Sequence, residues 1–353
     1  MSPDLILEVN LRAISYNYRY LKTLTKAEIS AVVKSDAYGL GAIPIALALE
    51  KEGCKSFFVA RVEEGVKLRA NGVLGTIYVL HGVQNFDVED FVEHQLVPVI
   101  NSEPQALLWQ QCAKKHARKL PCIIHVDTGM NRLGMSESEL YASEKMEGLE
   151  VLYVMSHLAC AEEGEHEYNE RQLTKFQSYD HVFPDAKRSL VNSSGIFLGN
   201  KYHYDLARPG MALYGLNPMP FGENPLKNVT RLFAKVMQIR ELQEDCFVGY
   251  SCTYRAKKGT QIATIAVGYS DGYLRRLSNT GIVSVNGHKA PVIGRVSMDM
   301  STIDVTGITC NVGDMVEVLG PNCLVDDVAK IIGTSGYELL TSLNRTFCRR
   351  YVS

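Results

Sequence analysis

Short apolar, β-branched runs alternate with longer segments of helical period along the first two hundred or so residues of the chain. The runs fall at 29–34, 56–60, 76–80, 96–100, 122–126, 151–156, 189–191 and 204–207, and segments such as 62–69 and 104–109 between them place apolar residues on one helical face. Eight strands alternating with helices over about 200 residues fit a (β/α)8 TIM barrel. An open doubly wound sheet is the other arrangement this alternation allows. Against it, no Gly-x-Gly-x-x-Gly turn follows the first run, so the dinucleotide-binding fingerprint is absent. The pattern then breaks across 215–225, where Pro218, Pro220 and Pro225 stand with Gly215 and Gly222. Beyond the break, β-like runs follow one another at 232–239, 261–267, 281–285, 290–293 and 315–319, with Asn286-Gly287 suited to a two-residue hairpin turn. The spacing therefore predicts an α/β barrel over 10–222 and a mostly-β domain over 223–353, with residues 1–9 packing against the second.

At 353 residues, with 46% hydrophobic and 22% charged, the chain can fill two cores. Its net charge of -2 and interspersed signs leave no basic footprint for nucleic acid, so a small-molecule partner is expected. The opening Met1-Ser2-Pro3-Asp4 lacks a basic n-region and a long apolar core, and no later stretch is apolar enough to span a bilayer, which together predict a cytoplasmic protein with no membrane partner. The nine cysteines show no Cys-x-x-Cys spacing and read as reduced and structural, with no metal site.

In such a barrel, candidate chemistry collects where strands end. The run 31–33 gives way to Lys34-Ser35-Asp36-Ala37-Tyr38-Gly39, putting a lysine beside apolar wall, where it loses its proton more easily than in water. Arg132 follows the fifth strand, His157 ends the sixth, Ser193 follows the seventh, and Arg208-Pro209-Gly210-Met211 follows the eighth. Singly, each has a plainer reading: a surface lysine, a loop ion pair, a core histidine, a helix cap. Together at one rim, a lysine and phosphate-suited loops after strands seven and eight point to pyridoxal phosphate, which needs an amine partner and an anion anchor.

These motifs resemble the bacterial alanine racemase family, and the resemblance runs over essentially the whole chain. The segment Ala31 to Gly39 is similar to the family's cofactor-lysine signature, which implies that Lys34 forms the internal aldimine with pyridoxal 5'-phosphate and serves as one catalytic base. The resemblance assigns the phosphate to Tyr38, Ser193, Gly210, Met211 and Tyr337, and the pyridine nitrogen to Arg208, with His157 beside it. In the β domain, Gly249-Tyr250-Ser251 matches the segment of the second base, Tyr250; Tyr269 and Met298 fall in segments that resemble those lining the substrate entrance, with Met298 near the substrate carboxylate, and Arg132 matches a substrate-binding arginine. Because relatives take these β-domain residues from the partner subunit, a homodimer with shared active sites is implied. The implied role is to interconvert L- and D-alanine, an amino-acid substrate, for peptidoglycan.

Two positions depart from the family pattern. His125 stands where many relatives have a lysine whose carbamate orients the arginine matching Arg132, and an imidazole carries no carbamate. Ser189 stands where many have a histidine behind the pyridine-facing arginine, which shifts expected support of Arg208 toward His157. Rival readings are a racemase of serine or broader specificity, a non-catalytic pyridoxal phosphate carrier, and a decarboxylase of the same architecture. Carriers lack a second domain, decarboxylases pair a longer chain with a cysteine-bearing motif, and pocket volume around Tyr250, Tyr269 and Tyr337 cannot be read from sequence.

Overall fold

The computed structural model describes residues 3–142, 146–219, 222–343 and 348–353; Met1, Ser2, Pro220 and Phe221 of the stretches above lie outside the described residues. Seven parallel strands follow in chain order: Ala31–Val32, Ser56–Val59, Thr76–Val79, Leu96–Ile100, Leu120–His125, Leu149–Met155 and Lys187–Ser189. The eighth, Leu206–Ala207, pairs in parallel with Glu28–Ile29 just upstream of the first, and Val32 N–H donates to Pro209 O (2.9 Å). On the other side, Asp205 N–H donates to Arg188 O (3.0 Å) and Arg208 N–H to Val191 O (3.0 Å), which closes the barrel.

The second, third and fourth strands are buried on both faces almost throughout, which is why their sequences are largely apolar rather than alternating, whereas the seventh, Lys-Arg-Ser, is polar and opens on an exposed lysine. Phe57, Val59, Ile77 and Val79 point out to the helices, while Phe58, Tyr78, Ile123 and Tyr153 fill the interior. Burying an aromatic side chain of this size contributes about 1.5–3 kcal/mol.

One difference from the sequence pattern lies at the first strand. It ends at Val32, and Lys34 opens the segment Lys34–Tyr38, in which Ser35, Asp36, Ala37 and Tyr38 all have φ between 53° and 56°. A left-handed turn of four non-glycine residues costs roughly 1–2 kcal/mol for each.

In the second unit, strands run in the order His288–Pro291, Ile282–Val285, Met315–Leu319, Thr230–Glu241, Leu5–Asn10 and Cys348–Val352, while Gln261–Ile265 joins Thr230–Glu241 to Ser301–Asp304. Leu5–Asn10 thus sits inside this sheet, antiparallel to Thr230–Glu241 and parallel to Cys348–Val352. A separate hairpin, Cys246–Val248 with Tyr254–Ala256, carries Tyr250 at its tip. Two helices interrupt the β pattern, Val325–Ile331 and Gly336–Ser342, and the second lies over the left-handed turn: a Cβ on Gly39 would meet Leu340 O at 2.9 Å. No helix among the described residues is long and apolar enough to cross a membrane.

Candidate active site

A cavity of about 710 Å³ opens at the carboxyl ends of the barrel strands, lined by Lys34, Tyr38, His125, Arg132, His157, Ser193, Arg208, Gly210, Met211 and Tyr337 among others. The barrel residues named from the sequence therefore meet in one place. Tyr337 joins them from the helix Gly336–Ser342.

Burial lowers the Lys34 pKa from the ordinary lysine range, and the Arg132 charge pushes it further down, with Glu64 opposing. Arg208 is 4% exposed, and among the described residues no carboxylate pairs with it. Its guanidinium donates to Ser189 Oγ (2.5 Å), Ser156 O (2.5 Å), Leu190 O (3.3 Å) and His157 Nδ1 (3.3 Å). Burial lowers its pKa to about 10, so it stays protonated at neutral pH. Support thus comes from Ser189 as well as His157, because the Ser189 hydroxyl donates to Leu206 O (2.6 Å) and so turns a lone pair to the arginine. Burial first, then the Arg208 charge, holds His157 well below its usual range, so the ring is neutral and its Nδ1 can accept.

His125 is fixed by a residue that sequence reading missed. Asn101 Nδ2 donates to Leu80 O (3.0 Å) and Val99 O (2.9 Å), which leaves Asn101 Oδ1 to face His125 Nδ1 (2.7 Å). Nδ1 therefore carries the proton and Nε2 is an acceptor. Burial, aided by Arg208, pushes the pKa of His125 down to about 3. The ring brings a neutral acceptor, not a negative charge, to the cavity that Arg132 also lines.

Around the loops after strands seven and eight, Ser193 Oγ accepts from Gly210 N–H (3.0 Å) and Ala212 N–H (3.2 Å). A Cβ on Gly210 would stand 2.4 Å from the Tyr38 hydroxyl, so only glycine lets the backbone and that phenol share the space. Tyr38 itself is pushed up to about 12 by burial and then by Tyr337, which keeps its proton available for donation. These parts fit a phosphorylated pyridine aldehyde: hydroxyls and a bare backbone for the phosphate, a buried cation for the ring nitrogen, and a lysine for the aldehyde.

Tyr250, Tyr269 and Met298 do not line this cavity. They are 69%, 41% and 54% exposed, and they lie on the second unit, where Tyr269 N–H donates to Ser297 O (3.0 Å) and Ser270 N–H to Met298 O (3.0 Å). Glu64 was also missed from the sequence: its carboxylate accepts from Ser35 N–H (2.5 Å) and Ala60 N–H (2.7 Å), tying the lysine's turn to the second strand. A glutamate in the first turn of a helix looks like ordinary capping, so nothing local marks it.

Comparison with known proteins gives the same picture over the whole length. Residues 9–218 match the family model described as "Alanine racemase, N-terminal domain" and residues 229–351 match "Alanine racemase, C-terminal domain". The chain is 45% identical to the alanine racemase of Rickettsia canadensis over 355 aligned positions, covering 98% of each. Among solved structures it is similar to the alanine racemase from Bartonella henselae with covalently bound pyridoxal phosphate, at a TM-score of 0.94 and 40% identity, covering 99% of this chain and 100% of that one. The biosynthetic alanine racemase of Pseudomonas aeruginosa superimposes with a TM-score of 0.92 at 34% identity, over 100% of both chains.

Proposed function

The chain belongs to the alanine racemase family, and from that premise we propose that it interconverts L- and D-alanine with two bases, Lys34 of one copy and Tyr250 of a second. It is a pyridoxal-phosphate-dependent isomerase. When bound, the cofactor supplies an electron sink that makes the substrate's Cα proton removable. The observation that carries the two-base reading is that one chain gathers a lysine and its anchors in a cavity while its matching tyrosine stands exposed elsewhere.

On this reading, Lys34 takes or returns the proton on one face, helped by the burial that favours its neutral amine. Tyr250 of the second copy serves the opposite face, so a proton removed from one side can return from the other. Arg208 donates to the ring nitrogen but keeps its own proton, which limits the sink and disfavours side reactions. Tyr38, Ser193, Gly210, Met211 and Tyr337 hold the phosphate, and His157 orients Arg208. Arg132 binds the substrate carboxylate, with Met298 and Tyr269 of the second copy at the entrance. A homodimer with shared sites, a cytoplasmic location and D-alanine supply for peptidoglycan belong to the same proposal.

The test is direct. Purified protein with pyridoxal phosphate is given L-alanine and L-serine separately, and the D-enantiomers are followed by chiral chromatography. D-alanine is expected to form faster, with borohydride fixing the cofactor on Lys34; faster D-serine formation, or fixation elsewhere, would refute the assignment.

A further inference from the structure

We propose that the C-terminal strand Cys348–Val352 is a positioning element for Lys34, in which Arg349 clamps the left-handed turn that carries the lysine and so governs how firmly the cofactor is held. The cofactor part rests on the function proposed above.

The turn has little reason of its own to hold its shape, since Ser35, Asp36, Ala37 and Tyr38 are all left-handed and none is glycine. Its internal bonds, Ala37 N–H to Val33 O (2.9 Å) and Gly39 N–H to Ser35 O (2.9 Å), are those of any single turn. What is added comes from two sides. On the barrel side, Glu64 takes the Ser35 N–H. On the other, Arg349 reaches across 310 residues of sequence: Nη2 donates to Gly39 O at 2.9 Å and lies 3.3 Å from Asp36 Oδ2.

Asp36 is used twice. Its Oδ1 accepts from Ala42 N–H (2.9 Å) at the start of the helix Ala42–Lys51, while Oδ2 faces Arg349. One carboxylate thus ties the turn, the following helix and the C-terminal strand together. Tyr351, two residues on, donates its hydroxyl proton to Leu40 O (3.1 Å). The side chains of Arg349 and Asp36 are only 18% and 20% exposed, so water competes weakly for the pair. The strand is itself anchored, because Leu7 pairs with Arg349 and Val9 with Tyr351 in the sheet. Arg349 touches neither the cavity nor the reacting atoms. It acts through the turn.

The experiment uses full-length Arg349→Gln and Arg349→Lys. Hydrogen exchange of the cofactor-free proteins is read on the peptide spanning 33–41, and loss of cofactor to hydroxylamine is read on the loaded proteins from the visible absorbance. Arg349→Gln should speed exchange in 33–41 by about tenfold or more while barrel strands such as Ser56–Val59 keep their protection, and should release cofactor faster by a similar factor. Arg349→Lys, which keeps the charge beside Asp36, should recover part of both. Equal exchange in 33–41 for wild type and Arg349→Gln would overturn the clamp. So would a uniform rise in exchange across all strands, which marks a general loss of stability. Should the wild type take up no pyridoxal phosphate, the functional reading falls, and the cofactor-free exchange still decides the clamp.

Discussion

Lys34 can act as a base only in its neutral form, and burial, adjusted by two charged neighbours, favours that form. Burial and the Arg132 charge both favour the free amine, while Glu64 favours the ammonium. Below its pKa the amine is protonated and cannot attack the cofactor aldehyde; above it the attack runs freely. The rate at which cofactor-free protein captures pyridoxal phosphate should therefore rise with pH through a midpoint below the ordinary lysine value of about 10.4. Arg132→Gln should move that midpoint up. Stopped-flow absorbance across pH checks both, and a midpoint unmoved by the substitution would remove Arg132 from the electrostatics. At this scale the sequence was informative where a strand end carries chemistry: Lys34, His157, Ser193 and Arg208 all line one cavity. It was silent on Asn101, whose use becomes visible only when the fourth and fifth strands lie side by side.

Elements were legible wherever their stability comes from their own pattern. The barrel strands lie within a few residues of the predicted runs, most closely where burial on both faces keeps the sequence apolar, as in Leu96–Ile100; the polar seventh strand, Lys187–Ser189, only touches its run at 189–191. The turn after the first strand was not legible, since of Ser-Asp-Ala-Tyr only the aspartate tolerates the left-handed region well, and the groups that bond to the turn, Glu64 and Arg349, are distant in the chain. The second unit's strand Ser301–Asp304 and hairpin Cys246–Val248 with Tyr254–Ala256 were missed for a related reason: they are short and defined by pairing more than by composition. The helix Leu11–Thr23 shows an element tied down from outside. Asn17, fully buried on it, donates to Leu213 O (3.2 Å) and Lys227 O (3.0 Å) and accepts from Lys227 N–H (2.8 Å). Asn17→Leu would leave those three backbone groups without partners, at about 1–3 kcal/mol for each that water cannot reach. A loss of about 3 kcal/mol or more in urea unfolding is expected; a loss under 1 would mean that the segment rearranges.

For the whole molecule, the proposed dimer has an arithmetic consequence. A Lys34→Ala chain keeps Tyr250 and a Tyr250→Phe chain keeps Lys34, so each homodimer lacks one base at both sites. A heterodimer has one site with neither and one with both. If subunits exchange at random, half of the dimers are mixed and about a quarter of wild-type activity should return. Racemase assays before and after mixing check this, with exchange verified by mass-tagged chains. No recovery in verified heterodimers would mean that each site is built within one chain.

The strand Leu5–Asn10 has a bearing on how the protein is made. It leaves the ribosome well before both of its neighbours, Thr230–Glu241 and Cys348–Val352. At translation rates of about 5–20 residues per second, its apolar residues Leu7 and Val9 wait on the order of ten seconds or more for a first partner and longer for the second. The barrel strands, which lie between the two in the chain, emerge in that interval with Leu5–Asn10 still unpaired. The nascent chain therefore carries an unpaired, aggregation-prone edge until both neighbours have emerged, and only then can the second sheet close around it.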